Sequence, residues 1–346
     1  MRTLIVSDLH LGSILGRDVL RRPAALEALL AQVEQADRLV LLGDVVELLE
    51  GRPRRALAAA RRPLRAIAQA LGADAEVVYV AGNHDHAFVR PFIRARRAEE
   101  RALGLATRVP VRTSPGLQAL AETLRPARFR ASYPGAWLAP GVYATHGHYV
   151  DRHLLPRNTG ILARGPLTPV PERGARAEDY ERSGGPSLDS LGSALAAELP
   201  DAVAGGLDLA LGALRRGTLA ASPAVGAVLR TEALAPFTAG VLGVQFRRAG
   251  LPAMAMAAQG LGIRAKHLIF GHLHRTGPLA RDDLSEWRPL GRGPHLHNTG
   301  SWVFEPLLLA RSRPPHPYWP GGAVVVQDDA PPRVLTLLDD IPAGRL

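Results

Sequence analysis

The sequence predicts an α/β fold with parallel strands, on three observations. Short apolar runs alternate with helix-like stretches through residues 1–150. Several of these runs stop abruptly at Gly, Asp, Asn or His, as strands do at the ligand-binding edge of an open α/β sheet. The composition, 47% hydrophobic and 21% charged over 346 residues, is that of a globular chain able to bury a sizeable core.

Leu4–Val6, Leu39–Leu42, Val77–Ala81 and Val142–Ala144 read as buried strands, because they are short and rich in aliphatic residues. Pro23–Gln35 reads as a helix with proline at its start and Leu26, Leu29, Leu30 and Val33 on one face. Pro53–Leu71 reads as a second helix with arginines on its outer side. The texture changes from Asp151 onward. Leu155–Gly185 is rich in Pro, Gly and Arg and reads as a long loop, whereas Ser187–Arg216 and Thr231–Gln259 read as apolar helices broken by Pro and Gly. Strand character returns at His267–Phe270, Val324–Val326 and Val334–Leu338. Residues 1–150 and 263–346 are therefore expected to form one domain, with residues 151–262 inserted as a mostly helical cap.

The chain has no cysteine, which excludes a disulfide framework, thiolate zinc ligation and a cysteine nucleophile. The formal net charge is +10, carried almost wholly by arginine, since Lys266 is the only lysine. Arginine forks suit phosphate and carboxylate, so an anionic partner is expected, although compositional bias toward arginine would give the same charge. Only Thr3 to Ser7 separate Arg2 from Asp8, too short for the apolar core of a secretory signal. A cytoplasmic location is expected, and attachment to a membrane surface stays open.

The apolar runs lead into Ser7-Asp8-Leu9-His10, Gly43-Asp44, Gly82-Asn83-His84-Asp85, Thr145-His146-Gly147-His148 and Gly271-His272-Leu273-His274. Asp, His and Asn are oxygen and nitrogen donors that suit Mn²⁺, Fe or Zn²⁺, whereas a pure calcium or magnesium site would lack imidazole. In Asp8-Leu9-His10 and His272-Leu273-His274, an extended backbone turns the first and third side chains the same way. A single such piece is more often a hydrogen-bonded turn. Five pieces in this order, each after an apolar run, point to a metal centre.

At these residues the chain resembles the calcineurin-like metallophosphoesterases, whose pattern DxH, GDxx(D/E), GNH(D/E), a His before Gly, and GHxH matches Asp8/His10, Asp44/Glu47, Asn83/His84/Asp85, His146 and His272/His274. Asn298-Thr299-Gly300-Ser301-Trp302 is a weaker, family-like tail. The resemblance implies a metallophosphoesterase-type αββα sandwich with two divalent ions, Mn²⁺ first and Fe or Zn²⁺ as alternatives. It implies that Asp8, His10, Asp44 and His274 hold one ion, and that Asp44 bridges to a second completed by Asn83, His146 and His272. It also implies that His84 stands over the phosphate, with Asp85 orienting it. His148 is read as an outer or substrate-binding residue, and His86, His295 and His297 as structural or peripheral.

The implied activity is hydrolysis of a phosphodiester, phosphomonoester or pyrophosphate by hydroxide generated at the ions. Nuclease and cyclic-nucleotide phosphodiesterase branches share these motifs. Nucleic acid is the less expected substrate, because aromatics make up only 5% and the middle segment is apolar rather than basic. A non-catalytic scaffold of the same fold would lack ligands, and none is missing. Val241, Leu242, Phe246, Met254, Met256 and Leu261 would give the cap an adaptable apolar surface, suited to a lipid-linked substrate or peripheral membrane contact, with Arg215, Arg216, Arg247 and Arg248 meeting head groups. The plainer alternative is that these helices pack on one another. The cap placement and the HGHY segment are similar to UDP-2,3-diacylglucosamine pyrophosphohydrolase relatives, which typically carry Arg after the metal-binding Asn, where this chain has His84.

Overall fold

The computed structural model describes residues 1–154, 174–181, 249–289, 291, 293–305, 309, 312–328 and 330–346. The strands are β1 (Arg2–Val6), β2 (Arg38–Leu42), β3 (Glu76–Val80), β4 (Ala106–Val109), β5 (Arg128–Ala139), β6 (Val142–Thr145), β7 (His267–Phe270), β8 (Thr276–Gly277), β9 (His295–Thr299), β10 (Gly322–Gln327) and β11 (Arg333–Thr336). They run in the order β11-β10-β1-β2-β3-β5-β6-β7-β9-β8, with β4 on β5. β1, β2, β3 and the first half of β5 are parallel neighbours, as are β6, β7 and β9.

β5 links the two halves. Its residues 128–132 pair with β3, and its residues 135–139 pair antiparallel with β6 across an irregularity near Trp137. The strand side chains then sort by parity, as alternation requires. Leu4, Val6, Leu39, Leu41, Val77, Tyr79, Leu268 and Phe270 join the larger apolar core with the helices. Ile5, Val40, Leu42, Val78, Val80, Ala136, Leu138, Val142, Ala144, Ile269, Val324 and Val326 form a second core of strand residues drawn from both halves. The halves therefore face each other across a dry strand–strand layer, with helices outside. This is the expected α/β sandwich. Strands buried on both faces read as continuous apolar runs, which is why β1, β2, β3 and β7 were visible in the sequence.

The helices are α1 (Pro23–Val33), α2 (Pro53–Leu71), α3 (Arg90–Ala98), α4 (Pro115–Thr123), α5 (Asp151–Leu154), α6 (Ala177–Glu181) and α7 (Leu251–Gly260). α1, α2 and α3 carry proline in the first turn, where its missing N–H costs nothing. The proposed long loop Leu155–Gly185 needs correction at α6. Tyr180 there is buried, its ring centroid 4.6 Å from that of Tyr149, and its hydroxyl lies 2.9 Å from His153 Nε2. This contact gives the segment an apolar anchor that its composition hides. Of the expected cap helices, Ser187–Arg216 lies outside the described residues, as do Val241, Leu242, Phe246 and the four cap arginines. α7 is described, and its Leu251, Met254 and Ala257 join the larger core, while Met256 is exposed. Among the described residues, no helix is long and apolar enough to cross a membrane.

Candidate metal centre

Every motif found in the sequence sits just past the carboxyl end of a strand. Asp8 and His10 follow β1, Asp44 follows β2, Asn83 to Asp85 follow β3, His146 follows β6, and His272 and His274 follow β7. The parallel pairings bring these ends to one edge. Among the described residues, seven non-glycine residues have positive φ. Five of them are Asp8, His10, Asp44, His272 and His274, with φ between 43° and 65°. Each such residue costs on the order of 1–3 kcal/mol, and clusters of them mark sites that the surrounding fold must hold in place. Glycine is needed where the turns crowd the ligands. At Gly43 (φ +85°) a Cβ would strike the His146 ring, and at Gly271 it would strike Ser7 and the Asp8 carboxylate.

The side chains converge in three overlapping groups: Asp8/His10/His274, His10/Asp44/His84 and Asp44/His146/His272. Within each, candidate ligand atoms lie within 4.8 Å of one another. His274 Nε2 is 3.2 Å from Asp8 Oδ1. Asp44 Oδ2 is 3.2 Å from His146 Nε2 and 3.8 Å from His10 Nε2. Asn83 Oδ1 is 3.2 Å from His146 Nε2, which adds the amide to the third group. All seven residues expected to hold metal are thus brought together.

Three imidazoles are held through one nitrogen by an oxygen acceptor, and His10 and His146 leave the other toward the centre. His10 Nδ1 lies 2.8 Å from Glu47 Oε2, His146 Nδ1 lies 2.9 Å from the Leu42 carbonyl oxygen, and His272 Nε2 lies 2.8 Å from Asp151 Oδ1. Oxygen acceptors behind histidines fix the tautomer and raise ligand basicity, the usual arrangement behind metal-binding imidazoles. His10 Nε2 is buried without a hydrogen-bond partner between Asp8 and Asp44. A buried orphan nitrogen facing two carboxylates is accounted for by a cation. The donor set and its orientation therefore fit divalent metal.

Electrostatics agree. Burial alone would raise Asp44, yet His146, His84 and His10 hold it well below the usual carboxylate range. Asp8 is likewise brought down to about 2 against its burial, by His146 and His274. Burial opposes a proton on His146, but Asp44 and Asp8 lift it to about 10. The same balance at His84, with Asp44 and Glu47 outweighing burial, gives about 9. A field that favours protons on buried imidazoles also favours cations.

One expectation changes at the mouth. Asp85 does not turn to His84. Its carboxylate accepts hydrogen bonds from the Gly82 and Val45 amides at 2.7 and 2.8 Å, and so braces the loop after β3 against the loop after β2. The carboxylate beside His84 is Glu47, with Oε2 2.7 Å from His84 Nδ1. His148 lies beside the third group, its ring centroid 5.6 Å from His146 and 6.4 Å from His272, while His86 packs on Tyr133. The Asn298–Trp302 tail supports the site from behind. Asn298 Nδ2 donates to the Gly271 carbonyl (2.9 Å), and the Trp302 amide donates to the Asp8 carbonyl (3.0 Å).

Sequence reading named Glu47 in a motif without giving it a task, and missed Asp151. No local spacing signals Asp151, whose partner His272 lies far along the chain.

A sandwich whose strand ends gather paired Asp/His groups defines a metallophosphoesterase-type site. Residues 1–163 match the model of the calcineurin-like phosphoesterase family. The match stops short of His272 and His274, which the fold returns to the same edge. No curated protein matches the chain.

Proposed function

We propose that the chain is a dinuclear metal-dependent phosphoesterase. Asp8, His10, Asp44 and His274 hold one ion, and Asp44, Asn83, His146 and His272 hold the other. The observation that carries this reading is the position of Asp44, whose Oδ2 faces imidazoles of both sets at 3.2 and 3.8 Å. Two divalent ions supply a hydroxide nucleophile near neutral pH and neutralise charge on the attacking and leaving oxygens.

The chain supplies the rest. Asp8 and Asp44 only partly offset two divalent charges, which leaves a centre attractive to a phosphate oxyanion. Buried Asp8, Asp44, Glu47 and His146 keep bulk water away from the inner side. Glu47, with Oε2 2.7 Å from Nδ1, favours the protonated form of His84. With Glu47 against Nδ1, its Nε2 serves as the donor to a phosphate or leaving-group oxygen.

The mixed carboxylate, amide and imidazole donors suit Mn²⁺, with Fe or Zn²⁺ as alternatives. The substrate is a phosphodiester, phosphomonoester or pyrophosphate with an apolar portion. The exposed Met256 on α7, a helix that packs against residues 148–154 just after the His146 motif, supports the apolar portion. A panel of monoesters, diesters, nucleotide pyrophosphates and phospholipids, run with Mn²⁺ and with chelator, tests the reading. Metal-dependent turnover with preference for acylated substrates is expected. Equal turnover of water-soluble substrates would remove the apolar portion, and no metal-dependent turnover on any would remove the phosphoesterase.

A further inference from the structure

All twelve histidines of the chain lie among the described residues, and three of them form a cluster away from the catalytic edge. His267 opens β7 and His295 opens β9, opposite each other in the parallel register, and His297 pairs with Ile269 two residues on. Alternation places all three side chains on one face of the sheet. The ligands His272 and His274 lie beyond the other end of β7, about 16 Å along the strand direction at 3.3 Å per residue.

His267 Nδ1 and His297 Nε2 are 3.1 Å apart. With metal–nitrogen bonds of about 2.05 Å, that separation subtends about 98° at a shared ion, close to the angle between two ligands of a tetrahedral centre. The His295 ring centroid is 5.5 Å from that of His267. His295 is half-buried at the start of its strand, and a shared ion would require its side chain to turn toward His267 and His297. His267 and His297 are buried, and His297 Nδ1 has no hydrogen-bond partner.

We propose that His267, His295 and His297 form a third metal site, an all-imidazole set selective for Zn²⁺ over Mn²⁺. Three neutral nitrogens with an open fourth position are a zinc ligand set, and without a carboxylate the set holds a hard ion such as Mn²⁺ weakly. The lone pairs are available at neutral pH, because burial and the neighbouring imidazoles keep His297 down at about 3, and burial likewise lowers His267. An ion there ties β7 to β9 at the end of the sheet remote from catalysis.

The test is zinc content of the full-length protein after equilibration with Zn²⁺ and desalting, for wild type, His295→Gln and Asp44→Asn. Wild type is expected to carry about three ions per chain, and His295→Gln about two with its Mn²⁺-dependent turnover unchanged. Asp44→Asn is expected to retain a zinc ion that the double variant Asp44→Asn/His295→Gln lacks. That last comparison reads the new site even if the catalytic assignment fails. Equal zinc content with and without His295 would overturn the proposal, leaving His267 and His297 as a hydrogen-bonded pair. Far-ultraviolet circular dichroism matching wild type establishes that each variant is folded, and His295→Ala serves in its place if the glutamine does not fold.

Discussion

Changing Glu47 to Gln keeps the volume and one acceptor oxygen but removes the charge that faces two imidazoles. Glu47 is 1% exposed. Its Oε2 lies 2.8 Å from His10 Nδ1 and 2.7 Å from His84 Nδ1, while Oε1 accepts from the Leu49 and Glu50 amides at 2.9 and 3.2 Å. A full charge pair at 2.7 Å is worth about 6 kcal/mol at an effective dielectric of about 20, an upper bound for His84. For His10, neutral when it holds an ion, the loss is that of a supporting carboxylate, roughly 10- to 100-fold in metal affinity or about 1.4–2.7 kcal/mol. Glu47→Gln should therefore weaken one of the two Mn²⁺ sites by that factor and leave the other near wild type, as read by competition with a chromophoric chelator.

The pH profile should move as well. Glu47 raises the pKa of His84 against burial, so it extends the protonated form to higher pH. Without the Glu47 charge, the alkaline fall in kcat should come at lower pH. Wild-type affinity at both sites together with an unmoved alkaline limb would refute the assignment of Glu47 to His10 and His84.

His84→Ala should keep both catalytic ions by metal analysis and lose on the order of 10²- to 10⁴-fold in kcat, less with good leaving groups. Asp151→Ala should weaken the other catalytic ion roughly 10- to 100-fold in the same chelator competition, because His272 loses the carboxylate at 2.8 Å. In metal-free buffer, acid should destabilise the fold through His297. Its folded pKa of about 3 lies below the ordinary 6.5, so the unfolded chain alone takes the proton between those values, and stability falls as pH drops through 6.5. At pH 4.5 the loss is about 3 kcal/mol relative to pH 7.5. Urea unfolding should show this difference shrinking in His297→Gln, and the same pH dependence in both proteins would contradict it.

The edge that gathers the candidate ligands was legible in the sequence because its strands are short, aliphatic and buried on both faces, and each ends in polar residues. β5 was not legible. Arg128–Ala139 mixes Arg, Pro and Gly because its two halves serve different sheet halves, so no single alternation runs through it. β9 was not expected either, because His295, His297 and Asn298 interrupt the aliphatic run that marked the other strands, although His297 and Asn298 are buried. The seven expected metal ligands converge, whereas the bracing carboxylates were harder to assign. Glu47 and Asp85 lie in motifs that do not say which of them backs a histidine, and the tertiary structure shows that Glu47 and Asp151 back histidines whereas Asp85 binds amides.

The central claim is that Asp44 sits between two ions, and anomalous scattering from crystals grown with Mn²⁺ tests it most directly. Two peaks are expected, about 3.5–4 Å apart, one beside Asp8, His10 and His274 and the other beside Asn83, His146 and His272, with the Asp44 carboxylate touching both. A single peak, or none between these side chains with Mn²⁺ supplied, would contradict the account.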